Sequence, residues 1–383
     1  MGMKCCGRDA VSGAWVEISG SDAIESVEEM IVAPGQGHYV APGFIDIQVN
    51  GFAGADYCSP STSMELLEHS LDVQFSTGVT RLFPTVITGG REDMLGALRN
   101  LARARKELRH GRAMEGFHVE GPHISPNDGP RGAHPVRHVR PPDTAEFDAW
   151  QEAADDHVKL VTVSPEWPGT PRYVEHLVGH GVVVSLGHLE ATQQQISDAV
   201  AAGATLSTHL GNGAHKLLPR HPNYLWQQMA EDRLCASFIV DGIHLGADFL
   251  KVALRAKGLE RAVLVTDAVM PACCPPGPYM LGEVEVELHP AGNVTLRGGD
   301  RLAGSALRMD RGVENLMKLA GLSLAEAVTM ATRNPARVGR VAHRQRGLQP
   351  GERADVVEFE FDQPSKSIRV LKTWLDGELV YSA

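Results

Sequence analysis

Short apolar runs recur along the chain, separated by segments whose apolar positions repeat with a helical period. Strand candidates fall at 43–50, 80–86, 114–120, 158–164, 182–188, 204–210, 235–241 and 262–268. Helical patterns fill several of the gaps, among them SMELLEHSLDVQFSTG, EDMLGALRNLARARKEL and TQQQISDAVAAGA. In the last of these, Ile196, Val200 and Ala201 share one helix face, and Gly203 then ends it as a C-terminal cap would. Eight strands alternating with helices over 43–268 predict an α/β fold, a (β/α)8 TIM-like barrel. A doubly wound open sheet is the alternative, disfavoured because no glycine-rich phosphate fingerprint follows the first strand.

The flanks read differently. The first forty residues are short, polar and strand-like (WVEIS, MIVAPG). Beyond the last barrel strand, LGEVEVELHPAGNVTLRGG alternates around an Ala-Gly-Asn turn and predicts a hairpin. Helices are expected at 310–320 and 323–332, and the tail (ADVVEFEF, SIRVLKTWLDGELVYSA) is strand-like again. The expected organisation is a barrel over 42–341, with a small β-sandwich domain formed by 1–41 plus 342–383.

Composition narrows the picture modestly. A length of 383 residues suits one large barrel with a minor domain. The net charge of -11 removes the basic face that nonspecific nucleic-acid binding needs. It leaves room for an anionic small molecule, because a pocket can be locally positive on an acidic protein. Cys5–Cys6 and Cys273–Cys274 are adjacent pairs, unlike a zinc clamp or a spaced disulfide framework; with Cys58 and Cys235 they are expected as free thiols. No apolar run approaches the roughly 20 residues of a membrane span, and no signal-peptide pattern opens the sequence. A cytoplasmic protein with no membrane or nucleic-acid partner is expected.

The chemistry concentrates at strand ends. Glu120, His188, His209 and Asp267 stand at or just past the ends of GFHVEGP, VVVSLGH, TLSTHL and AVLVTDA. In a barrel these ends converge on one rim, where active sites are built. Two imidazoles and a carboxylate are a common ligand set for a catalytic zinc ion with an open position. A further carboxylate beside the bound water, here Asp267, is what metal-assisted hydrolysis requires. For each residue there is a blander role: Asp267 as a helix N-cap, the histidines as satisfied structural groups, Glu120 as a solvated loop residue. The four together favour catalysis. Gln48 and Asn50 close the first strand as Q-V-N; being neutral, they bind divalent ions weakly, which points to one tight metal site beside a vestigial second one. His134, Asn212, Gly213, Arg220 and His244 follow strand ends as candidate substrate contacts, and the forked guanidinium of Arg220 suits a phosphate.

These stretches resemble the N-acetylglucosamine-6-phosphate deacetylase family of the amidohydrolase superfamily. The similarity is carried by APGFIDIQVNG, GFHVEGPHISP, GAHP, SLGHLEAT, AGATLSTHLGNGAH, DGIHL, LVTDA, LAGSALRMDRGVENL and LSLAEAVTMATRNPAR. It implies hydrolysis of the acetamide of an N-acetyl amino-sugar 6-phosphate. It implies one divalent ion, zinc first, with Fe2+, Mn2+ or Co2+ as alternatives, on Glu120, His188 and His209, and Asp267 as the catalytic carboxylate. Ala133, His134, Asn212, Gly213, Arg220, the stretch Asp241, Gly242, Ile243 and His244, and Leu302, Ala303 and Gly304 fall where the family binds substrate. The resemblance also implies a homodimer in which the arginine reaches across the interface. One departure stands out: after the second histidine the family usually reads HL-[FY]-N-A-M, whereas this chain has HLGNGAHKLLPRHPNYLW. Two rivals stay open, an amidohydrolase for another N-acyl substrate (N-acetylgalactosamine 6-phosphate or an N-acyl amino acid) and a non-catalytic sugar-phosphate sensor.

Overall fold

A computed structural model describes residues 2–31 and 38–383. Part of the MIVAPG stretch lies outside the described residues. Eight parallel strands form one sheet in chain order: Phe44–Val49, Val79–Ile87, Phe117–Glu120, Val158–Val163, Val183–Leu186, Leu206–Ser207, Cys235–Ile239 and Ala262–Val265. The sheet closes on itself just past its last strand. There Val49 bridges Ala268 in parallel, the Asn50 amide donates to the Ala268 carbonyl (2.7 Å) and the Asp267 amide to that of Gln48 (2.9 Å). The expected barrel is present, and its seam runs through candidate site residues.

The strands stop sooner than the apolar runs suggest. The runs continue to 188, 210 and 268, but the ladders end at Leu186, Ser207 and Val265. The cause is backbone conformation. His188, His209 and Asp267 have φ of 50°, 29° and 48°, in the left-handed region, which cannot continue a strand. The helices match the pattern more closely. Met64–Ser76 starts on Ser63, whose side chain accepts from the Leu66 amide. Gln193–Ala201 starts on Thr192 with a complete capping box to Gln195.

Inside the barrel lies an apolar plug contributed by seven of the eight strands, including Ile45, Phe83, Leu160, Val183, Leu206, Ile239 and Val263. Ala336 and Val341 pack onto it. A polar layer is also buried in the barrel, where His118 Nε2 lies 2.7 Å from Thr162 Oγ1 and Thr208 Oγ1 bonds both Thr162 and Ser185.

The predicted hairpin is Val284–Leu288 paired antiparallel with Asn293–Leu296. It belongs to a four-stranded sheet that adds Gly277–Leu281 and Leu302–Ser305. That last strand is stitched to the barrel rim, since the Ser305 amide donates to the Asp267 carbonyl (3.1 Å).

Both ends of the chain meet in a seven-stranded sheet. Its order is Glu378–Ser382, Ser367–Leu375, Val356–Asp362, His38–Pro42, Met3–Asp9, Trp15–Gly20, Ile24–Glu29. A buried ionic cluster fastens the C-terminal part of this sheet to the barrel. Asp355, just before its strand, takes two bonds from Arg81 of the second barrel strand (2.7 and 3.0 Å) and one from Arg344. Burial works against the Asp355 carboxylate, but the two guanidiniums outweigh it and hold the group far below the usual carboxylate range.

Candidate active site

At the C-terminal rim of the barrel, three side chains converge. Glu120 Oε1 lies 3.1 Å from His188 Nε2 and 2.9 Å from His209 Nε2, and the two imidazole nitrogens are 3.1 Å apart. All three residues are buried. Ligand atoms about 2.0–2.1 Å from a tetrahedral zinc ion are separated by about 3.3 Å, so this triangle is close to the size that such an ion needs. The tautomer of His188 suits it as well. His188 Nδ1 lies 2.8 Å from the Pro130 carbonyl, to which its N–H donates, leaving the Nε2 lone pair aimed at the centre. The donor set therefore fits a divalent ion. Gly213 shapes the back of this site: its φ is 55°, and a Cβ there would stand 2.8 Å from His188 Nδ1.

Asp267 faces the triangle through two amides of the first strand. Gln48 Nε2 donates to Glu120 Oε2 (3.1 Å) and to Asp267 Oδ1 (3.2 Å), and Asn50 Nδ2 donates to the same Oδ1 (2.7 Å). Asp267 Oδ2 takes no hydrogen bond from the described residues. Burial, and then the Glu120 charge, push the Asp267 carboxyl up to about 6. Burial opposes ionisation of Glu120 too, yet bonds from His188 and His209 hold it well below its ordinary value. His134 packs edge-on to His188, with ring centroids 4.4 Å apart, and its Nδ1 lies 2.8 Å from Thr88 Oγ1. Burial lowers its pKa to about 3, so the ring is neutral near pH 7.

The site opens into a cavity of about 470 Å³. Of the residues singled out in the sequence, Asn50, Glu120, Ala133, His134, His188, His209, Asn212, Gly213, His244, Asp267, Leu302, Ala303 and Gly304 line it. Gln48 is buried behind the lining. Asp241 forms a turn whose Oδ1 accepts from the Ile243 and His244 amides, while its Oδ2 holds His244 Nδ1 at 2.6 Å. Asp241, Gly242 and Ile243 thus stand behind His244 and outside the lining. Arg220 is on an exposed loop and does not line the cavity. Asn50 Oδ1, Asn212 Nδ2 and His209 Nδ1 are buried without a hydrogen-bond partner in the protein.

Several wall residues were not site candidates in the sequence: Thr88, Cys58, Met94, His138 and Leu281–Glu283, the turn between Gly277–Leu281 and Val284–Leu288. Only the three-dimensional packing of the inserted sheet brings that turn to the cavity. Asp46 also went unnoticed. It is fully buried below the site, accepts from the Gln48 and Thr266 amides, and is pushed by burial up to about 7. A carboxylate inside the apolar run FIDIQV was the available signal.

A triangle of two imidazoles and a carboxylate at a barrel rim, faced by a free carboxylate oxygen, is a geometry that metal-assisted hydrolysis can use. Residues 39–380 match the amidohydrolase family. The chain belongs to that family. This amidohydrolase is 32% identical over 342 residues to the N-acetylgalactosamine-6-phosphate deacetylase of Escherichia coli O157:H7, covering 89% of this chain and 87% of the relative. It is 31% identical over 346 residues to the N-acetylglucosamine-6-phosphate deacetylase of Vibrio furnissii, covering 89% and 83%. Among solved structures, it matches an aspartate-to-alanine variant of the Mycobacterium smegmatis N-acetyl-D-glucosamine-6-phosphate deacetylase in complex with N-acetyl-D-glucosamine-6-phosphate. That match has a TM-score of 0.88 and 28% identity, and covers 100% of both chains. No helix among the described residues is long and apolar enough to cross a membrane.

Proposed function

We propose that this amidohydrolase removes the acetyl group of an N-acetyl amino-sugar 6-phosphate, with N-acetylglucosamine 6-phosphate as the first candidate, giving acetate and the free amino-sugar phosphate. The observation that carries this reading is the Glu120–His188–His209 triangle with Asp267 held beside it by Gln48 and Asn50. A bound divalent ion, zinc by its fit to a compact two-imidazole and carboxylate set, supplies Lewis acidity and a lowered pKa for water.

The protein's own groups do the rest. Asp267 Oδ2 takes the proton of the attacking water while Oδ1 stays fixed by the two amides. It then returns that proton to the leaving nitrogen. His134 has Thr88 at Nδ1, which leaves Nε2–H to donate to the developing oxyanion. The unpartnered Asn50 Oδ1 and Asn212 Nδ2 suit a polar ligand such as a sugar. His244, held by Asp241, is the phosphate-side group within the chain. Exposed Arg220 fits the reading in which it serves the cavity of a partner in a cytoplasmic homodimer. The segments 1–41 and 342–383 together act as the small flanking domain.

N-acetylgalactosamine 6-phosphate is the second reading, because relatives of both specificities match at similar identity. Acetate release from both epimers, each with and without the 6-phosphate, tests the proposal. A strong preference for the phosphorylated sugars is expected. Equal rates without the phosphate would remove the phosphate site and favour an amidohydrolase of other N-acyl substrates.

A further inference from the structure

Away from the rim, two consecutive outer helices carry a second set of metal-ligating groups. Asp148 lies on Thr144–Ala153; His176 lies on Thr170–Gly179, and His180 caps the C-terminus of that helix. One ligand atom from each of the three lies within 4.8 Å of the other two. Histidines four apart share one face of a helix, the spacing that lets both reach one ion. Their rings are 4.5 Å apart, and each packs against buried Phe147, at 5.6 and 5.5 Å.

The hydrogen bonds assign the nitrogens. His180 Nδ1–H donates to the His176 carbonyl (2.8 Å), so the lone pair available to an ion is on Nε2. His176 Nε2 lies 2.9 Å from Asp148 Oδ1. For an ion entering there, His176 shifts to the tautomer that carries its proton on Nδ1, which frees Nε2, and Asp148, His176 and His180 serve as ligands with water completing the shell. Two imidazoles and one carboxylate on an open surface select a borderline transition ion, Zn2+, Ni2+ or Cu2+, over Mg2+ or Ca2+.

We infer that Asp148, His176 and His180 form a peripheral transition-metal site, separate from the catalytic centre, that clamps these two helices together. The test uses metal-loaded enzyme freed of excess ion and titrated with Ni2+ by calorimetry, with thermal unfolding in parallel. At pH 7.5 the parent is expected to bind one further equivalent of Ni2+ and to gain in Tm. A His176→Ala/His180→Ala double variant loses that equivalent and the Tm gain, with unchanged hydrolytic activity; Asp148→Asn binds more weakly. At pH 5.5 the parent loses it too, because protons compete with the ion for the imidazole lone pairs. A further equivalent that persists in the double variant, or a parent that binds none at pH 7.5, overturns the inference.

Discussion

At the scale of single residues, the proposed chemistry gives the two oxygens of one carboxylate different tasks. Asp267 Oδ1 accepts from Gln48 and Asn50, and the proposal leaves Oδ2 for proton transfer. A base works only in its ionised form, so kcat/KM falls as pH drops through the Asp267 pKa. Burial and Glu120 set that pKa to about 6, and a cation beside it draws it lower. The acid limb of the pH profile is therefore expected at or below about pH 6. Asp267→Asn should cost about 10²–10⁴ in kcat, retain metal, and flatten that limb. An unchanged limb in the variant would remove Asp267 from the role of base. Much of this was legible in the sequence, because Glu120, His188, His209 and Asp267 each end a separate strand. The donor role of Gln48 and Asn50 was not, because residue type alone does not say which partners a side chain finds 72 and 217–219 positions away.

At the scale of elements, the ladders yield to the site. Strand existence was readable from apolar runs; strand length was not, because three site residues adopt left-handed backbone that only the surrounding packing imposes. Register shifts in the first strand, between Phe44 and Ile45 and again between Asp46 and Val49, likewise hid the direction of Asp46. The inserted sheet depends on a comparable constraint. Gly304 has φ of 85°, and a Cβ there would come within 2.3 Å of Val269 Cγ1. Gly304→Ala must move a strand that lines the cavity and is tied to the Asp267 backbone. Left-handed strain of about 1–2 kcal/mol comes on top of that clash. The expected result is a lower Tm and a severalfold rise in KM, with metal content unaltered. A variant with native KM would mean that this strand does not shape substrate binding.

At the scale of the whole molecule, the Arg81–Asp355–Arg344 cluster joins the barrel to the terminal sheet. Removing one partner of a buried pair leaves an uncompensated charge, at about 3–5 kcal/mol. Asp355→Asn takes from Arg344 its carboxylate partner and leaves Arg81 with Asp376 and Glu115; a loss of stability in that range is expected at pH 7, measured by urea unfolding. The sign with pH follows from the depressed carboxyl. Its contribution is present above the unfolded pKa of about 3.9 and disappears as the pH falls toward the folded value. The gap between parent and variant should therefore narrow steadily as the pH falls below about 4, and a gap as large at pH 2 as at pH 7 would place the stabilisation elsewhere.

The seven-stranded sheet sets a timetable for biosynthesis. His38–Pro42 pairs with Val356–Asp362, made roughly 300 residues later. At ~5–20 residues per second, the earliest strands wait on the order of 15–60 s on the ribosome before their neighbour emerges. During that interval a nascent chain presents an open edge, the kind of surface that chaperones shield and that truncated transcripts would leave permanently bare.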